Sequence, residues 1–144
     1  ISTAGSVELV RVLAEEMFGI PPDDVLGSSV VSTLREEDGQ LVLRRLATVH
    51  GLNDGATKPL TIDAHIGRRP ILAVGNAGSG GDIPMLRYSQ QTGRPNLQVL
   101  VRHDDFEREY AYDDPEGASV RTANESGWLL VSMRYDWLRV FGAQ

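Results

Sequence analysis

The stretch Pro70-Ile71-Leu72-Ala73-Val74-Gly75-Asn76-Ala77-Gly78-Ser79-Gly80-Gly81-Asp82-Ile83-Pro84-Met85-Leu86 decides the fold. Residues 70–74 are the longest apolar run in the chain. That run has the length of a buried strand and falls far short of the ~20 residues a bilayer crossing needs. Four glycines in the eight positions 75–82 follow, and without Cβ atoms their backbone can come close to a ligand or ion. Ile83, Met85, Leu86 and Tyr88 then read as a helix with Asp82 at or near its N-cap.

Outward from this unit the same alternation continues. Toward the C-terminus a strand is predicted at 97–101, a helix from Asp104-Asp105 through Phe106 and Tyr110, and a break at 113–117. A helix at 118–126 and a strand at 128–131 follow. Toward the N-terminus, Lys58 opens a short helical stretch through Ile62 and Ile66, preceded by the polar loop 51–57. Residues 25–47 read as a β-hairpin around the turn Glu37-Asp38-Gly39-Gln40. Before it, Ser6 caps a helix over 7–18 whose Val7, Val10, Leu13, Ala14 and Met17 recur at helical spacing. Residues 1–5 read as the exit from a strand. Strands and helices alternating across short polar loops predict a layered α/β domain with a parallel sheet, whose ligands bind at the carboxyl ends of the strands.

Composition narrows the function. Fourteen Lys+Arg against 20 Asp+Glu give a formal charge of −6, which disfavours a general nucleic-acid binder. The lack of cysteine excludes thiolate catalysis and thiolate zinc sites but leaves the compartment open. No segment is long and apolar enough to span a membrane, so a soluble chain is expected. Thirteen of the fourteen basic residues are Arg, and Lys58 is the only lysine.

Three features fall at expected strand ends: Ser2/Thr3, the glycine loop with Asn76 and Asp82, and His103-Asp104-Asp105. The loop is not a Walker motif, since Asp82 follows Gly81 where Lys-Ser/Thr is needed, and Ile83 breaks the dinucleotide pattern begun by Gly78-x-Gly80. A carboxylate there repels phosphate unless a divalent cation lies between them, so Asp82 points to Mg²⁺ or to a capping role. Lys58 is either a neutraliser of phosphate charge or a solvated surface lysine. Ser2 either hydrogen-bonds an anion with nearby backbone N–H groups or simply ends a strand. His50, His65 and His103 lack zinc-helix spacing, and the aspartates after His103 read most simply as helix caps.

Taken in order, Ile1-Ser2, Thr57-Lys58-Pro59 and the segment from Ile71 to Leu86 resemble the second, third and fourth motifs of the haloacid-dehalogenase (HAD) superfamily, in its phosphoserine-phosphatase-like branch. The hairpin at 25–47 resembles the segment between motifs two and three. The resemblance implies an α/β, HAD-like three-layer parallel sheet, with 1–144 as the C-terminal part of one core domain and the cap domain outside this chain. It implies hydrolysis of a phosphorylated small molecule through a phosphoaspartyl intermediate. Ser2 and Thr3 would bind the phosphoryl group, Lys58 would steady nucleophile and phosphate, and Asp82 with Asn76 would hold Mg²⁺.

Two departures stand out. The chain contains no Asp-x-Asp-x-Thr/Val, so an N-terminal half carrying the nucleophile strand is expected elsewhere, and residues 1–144 alone are expected to be inactive. Asn76 replaces the first acid of the usual loop pair, contributing a carbonyl oxygen without charge. The competing expectations are a non-catalytic α/β binding module whose glycine loop holds an anion and, more weakly, a nucleotide-binding domain.

Overall fold

In the computed structural model, which describes residues 1–78, 80–112, 114 and 116–140, the first unit (Ile1–Ile62) begins with β1 (Ser2–Ser6) running directly into α1 (Val7–Phe18). Residues 2–6 are thus a strand themselves, not the exit from one. The Ser6 hydroxyl accepts from the Leu9 N–H at 3.4 Å and donates to Glu8 at 2.8 Å, so one side chain caps the helix and anchors an acid in its positive first turn. Gly19, at φ 64°, closes the other end, where its N–H reaches the Glu15 carbonyl and that of Ile20 reaches Ala14.

A 3₁₀ turn (Pro22–Asp24) leads to β2 (Leu26–Glu37), which pairs in parallel with β1 and antiparallel with β3 (Gln40–Gly51). The β2–β3 connection is the two-residue turn Asp38-Gly39 with φ of 53° and 75°, the left-handed pair a tight hairpin requires. Gly27 is needed for packing: a Cβ there would stand 2.9 Å from the Val7 Cα. Ala14, Val25 and Leu26 form the buried base of this unit, whereas the far half of the hairpin is exposed.

Within α2 (Thr57–Ile66) the chain passes into the second unit, Asp63–Gln144. There β4 (Leu72–Asn76), β5 (Leu97–Arg102) and β6 (Leu129–Ser132) pair in parallel in that order. Helices α3 (Ile83–Gln90) and α4 (Ala118–Ser126) make the crossovers. The chain is therefore a mixed α/β protein with parallel strands and, among the described residues, four α-helices, none long and apolar enough to cross a membrane. Ala73, Ala77, Leu86, Leu100, Ala123 and Trp128 form the core of the second unit, and the Trp128 indole donates to Gln90 at 2.9 Å.

Two expected elements differ. The strand predicted at 70–74 lies at 72–76, and only Ala73 of Leu72, Ala73 and Val74 is buried. An apolar run reads alike on both faces, while α3 and α4 leave one face of this sheet open. The helix expected at 104–110 is a single turn: Asp105 accepts from the Glu107 and Arg108 N–H groups, and the chain then returns so that Tyr112 bonds back to His103. A side chain that satisfies the first N–H groups also favours a closed turn over a helix.

Candidate functional site

Ser2, Thr3 and Lys58 come together in the first unit. Ser2 and Thr3 open β1, and Lys58, in the first turn of α2, brings its Nζ to 3.5 Å from the Ser2 carbonyl. Lys58 is only 6% exposed, which rules out a solvated surface lysine. An ammonium taken from water must be compensated by oxygens around it. The loop ahead of α2 is built to set this position. The Thr57 hydroxyl donates toward the Leu52 and Asp54 carbonyls at 2.6 Å and accepts from the Asp54 N–H at 2.8 Å.

Asn53 is the member of this cluster that sequence reasoning missed. It is 3% exposed, and its side-chain amide donates to the Ser2 hydroxyl at 3.2 Å and the Thr3 carbonyl at 3.0 Å. Its own N–H donates to the Ser28 hydroxyl at 2.9 Å, which in turn donates to the Ala4 carbonyl at 2.7 Å. In sequence Asn53-Asp54-Gly55 reads as turn chemistry, and only its place two residues after the hairpin end hints at a contact with β1.

Asn76 and Asp82 come together in the second unit, at the carboxyl end of β4. Asp82 occupies the N-cap position of α3 but makes no side-chain capping bond there. Its carboxylate turns back to accept from the Asn76 N–H at 2.9 Å, and the residue is 9% exposed. The capping role is thereby set aside. The Asn76 side-chain oxygen accepts from the Gly78 N–H at 3.0 Å. The glycines explain themselves: a Cβ on Gly75 would stand 2.6 Å from the Asp82 Cβ, and one on Gly78 would stand 2.9 Å from the Asn76 oxygen. Both side chains lie in space that Cβ atoms would fill. Ser79, within the loop, lies outside the described residues.

The donor set suits a hard cation in kind, since a carboxylate and an amide oxygen are what Mg²⁺ takes alongside water. The Asp82 carboxylate accepts from the Asn76 N–H and the Asn76 side-chain oxygen from the Gly78 N–H. Charge is low, however, with one carboxylate and, among the described residues, no group of three His, Asp or Glu that could hold an ion. Asp82 and Asn76 thus offer oxygen donors of the kind a hard cation takes, with a single negative charge between them.

Tyr112 borders this loop, its ring 3.4 Å from where a Gly78 Cβ would be. Burial, then the Glu109 and Asp82 carboxylates, push its phenol above the ordinary value. The His103 ring stacks on Tyr112 with centroids 4.2 Å apart and bonds Glu109 at 2.9 Å. His103, Asp104 and Asp105 do not converge on a metal: Asp104 accepts from Ser132 and Arg134, and Asp105 pairs with Arg108. For both aspartates burial raises the pKa, and the hydrogen bonds and nearby arginine overcome it, leaving each below the usual carboxylate value.

Neither a comparison with known protein-family models nor one with curated proteins finds a match for this chain.

Proposed function

We propose that this chain supplies the phosphate- and metal-binding part of a HAD-type phosphomonoesterase of the phosphoserine-phosphatase-like kind. The observation that carries the reading is the burial of the only lysine beside the strand end that bears Ser2 and Thr3. A cation withdrawn from solvent at the start of β1 suits an anionic ligand with dispersed charge, and phosphate is the simplest. The tucked Asp82 and Asn76, with two glycines that make room for them, support the second half of the reading.

Within this reading, the Ser2 hydroxyl donates to a phosphoryl oxygen and Thr3 helps line the same end of β1. Lys58 balances negative charge that grows as the phosphoryl group transfers. In the second unit, Asp82 and Asn76 would hold Mg²⁺, whose chemistry when bound is that of a Lewis acid. The attacking aspartate and the acid/base belong to a segment outside these 144 residues, because the sequence has no Asp-x-Asp motif. The substrate is a phosphorylated small molecule, not a nucleic acid.

That same missing motif favours the second reading, a non-catalytic module that binds an anion. Hydrolysis of p-nitrophenyl phosphate by the natural polypeptide, with Mg²⁺ and with EDTA, separates the two. Under the phosphatase reading turnover is EDTA-sensitive, Lys58→Ala and Asp82→Ala each lower it at least ~100-fold, and Arg44→Ala changes little. Equal, small effects at all three positions would sink the assignment.

A further inference from the structure

We infer that Asn53 is a positioning residue for the anion site, holding the Ser2 hydroxyl so that its proton points to the ligand; this rests on the phosphate reading above. The orientation of the Asn53 amide follows from its neighbours. The Thr3 carbonyl can only accept, so the NH₂ group faces it, and the second N–H of that group goes to the Ser2 oxygen. A hydroxyl oxygen that accepts from an amide keeps its own hydrogen for a different partner. Among the described residues none accepts it. Ser2 is half-buried, so among the described residues its hydroxyl hydrogen is left for solvent or a ligand, and its own carbonyl lies 3.5 Å from the Nζ of the buried Lys58.

The other end of Asn53 supports the same conclusion. With the NH₂ so oriented, the side-chain oxygen is buried with no donor among the described residues. An unmatched buried carbonyl is costly, and an apolar side chain of similar size would avoid that cost. What the position requires is therefore the pair of donors aimed at Ser2 and Thr3. Backbone anchoring alone does not require them, because the loop is already tied to β2 through the Asn53 N–H and Ser28.

The test is a titration of the 144-residue chain with inorganic phosphate, followed by ¹⁵N–¹H NMR, in a double-mutant cycle. Asn53→Ala and Ser2→Ala should each weaken phosphate binding about tenfold, the scale of one hydrogen bond to a charged group. The double variant should lose no more than either alone, because Asn53 acts through Ser2. Arg44→Ala, on the exposed part of the hairpin, should leave phosphate affinity unchanged. If Asn53→Ala does not fold, Asn53→Asp keeps the shape and exchanges donors for acceptors. Its loss should then be larger with Ser2 present than in the Ser2→Ala background. Equal losses in both backgrounds, or no loss at all while Ser2→Ala and Lys58→Ala still weaken binding, overturn the role of Asn53 and leave the phosphate reading intact. Phosphate binding that is absent, or indifferent to both Ser2→Ala and Lys58→Ala, overturns the phosphate reading and this inference together.

Discussion

Gly75 has no room for a methyl group. Its backbone is not left-handed, so the constraint is the Asp82 side chain, 2.6 Å from the nearest possible Cβ. Gly75→Ala should cost about 1–3 kcal/mol, the usual scale of overpacking at a closed site, and a thermal melt of the purified chain reads it. A melt unchanged from the parent would mean that Asp82 has freedom to move aside. Single residues were unevenly legible in the sequence. Lys58 stands out because it is the only lysine, and Asp82 because the carboxyl ends of parallel strands gather ligands, whereas Ser2, expected at such an end, opens β1 instead. Asn53 was invisible for a physical reason: an asparagine in a polar loop satisfies local turn chemistry, and nothing in one dimension says that its amide reaches a strand 50 residues away.

At the scale of elements, the turn after β5 shows how a capping signal misleads. Asp105 has the sequence signature of a helix start, yet its carboxylate is pinned by Arg108, whose guanidinium also donates to the Met133, Arg134, Trp137 and Leu138 carbonyls. The turn thus serves as a clasp for residues 133–138. Asp104 ties the same segment through Ser132 and the Arg134 N–H, and the Asp114 carboxyl is lowered chiefly by the Ser119 N–H at the start of α4. All three carboxyl groups lie below their ordinary value in the folded chain. Their contribution is therefore present above the unfolded-state value near pH 4 and lost as pH falls through the folded values. Acid titration followed by near-UV circular dichroism of Trp128 and Trp137 should show stability flat from pH 7 to about 5 and falling below about 4. Stability that instead fell as pH rose from 5 to 7 would contradict this sign. The regular elements were easier to read than this turn. Periodicity, Ser6, Gly19 and Asp38-Gly39 mark α1 and the hairpin locally, since caps and turns act within a few residues.

At the scale of the whole molecule, the alternation of strands and helices was legible, and the pairing was not. Nothing local distinguishes β1 as a partner of β2, or shows which face of β4 the helices cover. That face matters for behaviour in solution. A parallel sheet is ordinarily covered on both sides, yet Leu72, Val74, Leu97 and Leu129 of the second unit are all about half exposed. The 144-residue chain should therefore enhance the fluorescence of a hydrophobic dye such as anilinonaphthalene sulfonate, and Leu72→Thr with Val74→Thr should reduce it. Dye binding indifferent to that pair would place the apolar surface elsewhere. The buried lysine has a practical consequence as well. Within these 144 residues the chain holds one side-chain amine, that of the buried Lys58. Acylating reagents that attack uncharged amines thus have a single internal target, shielded in the folded chain. The rate at which an amine-directed label reaches Lys58 becomes a clock for the opening of its site.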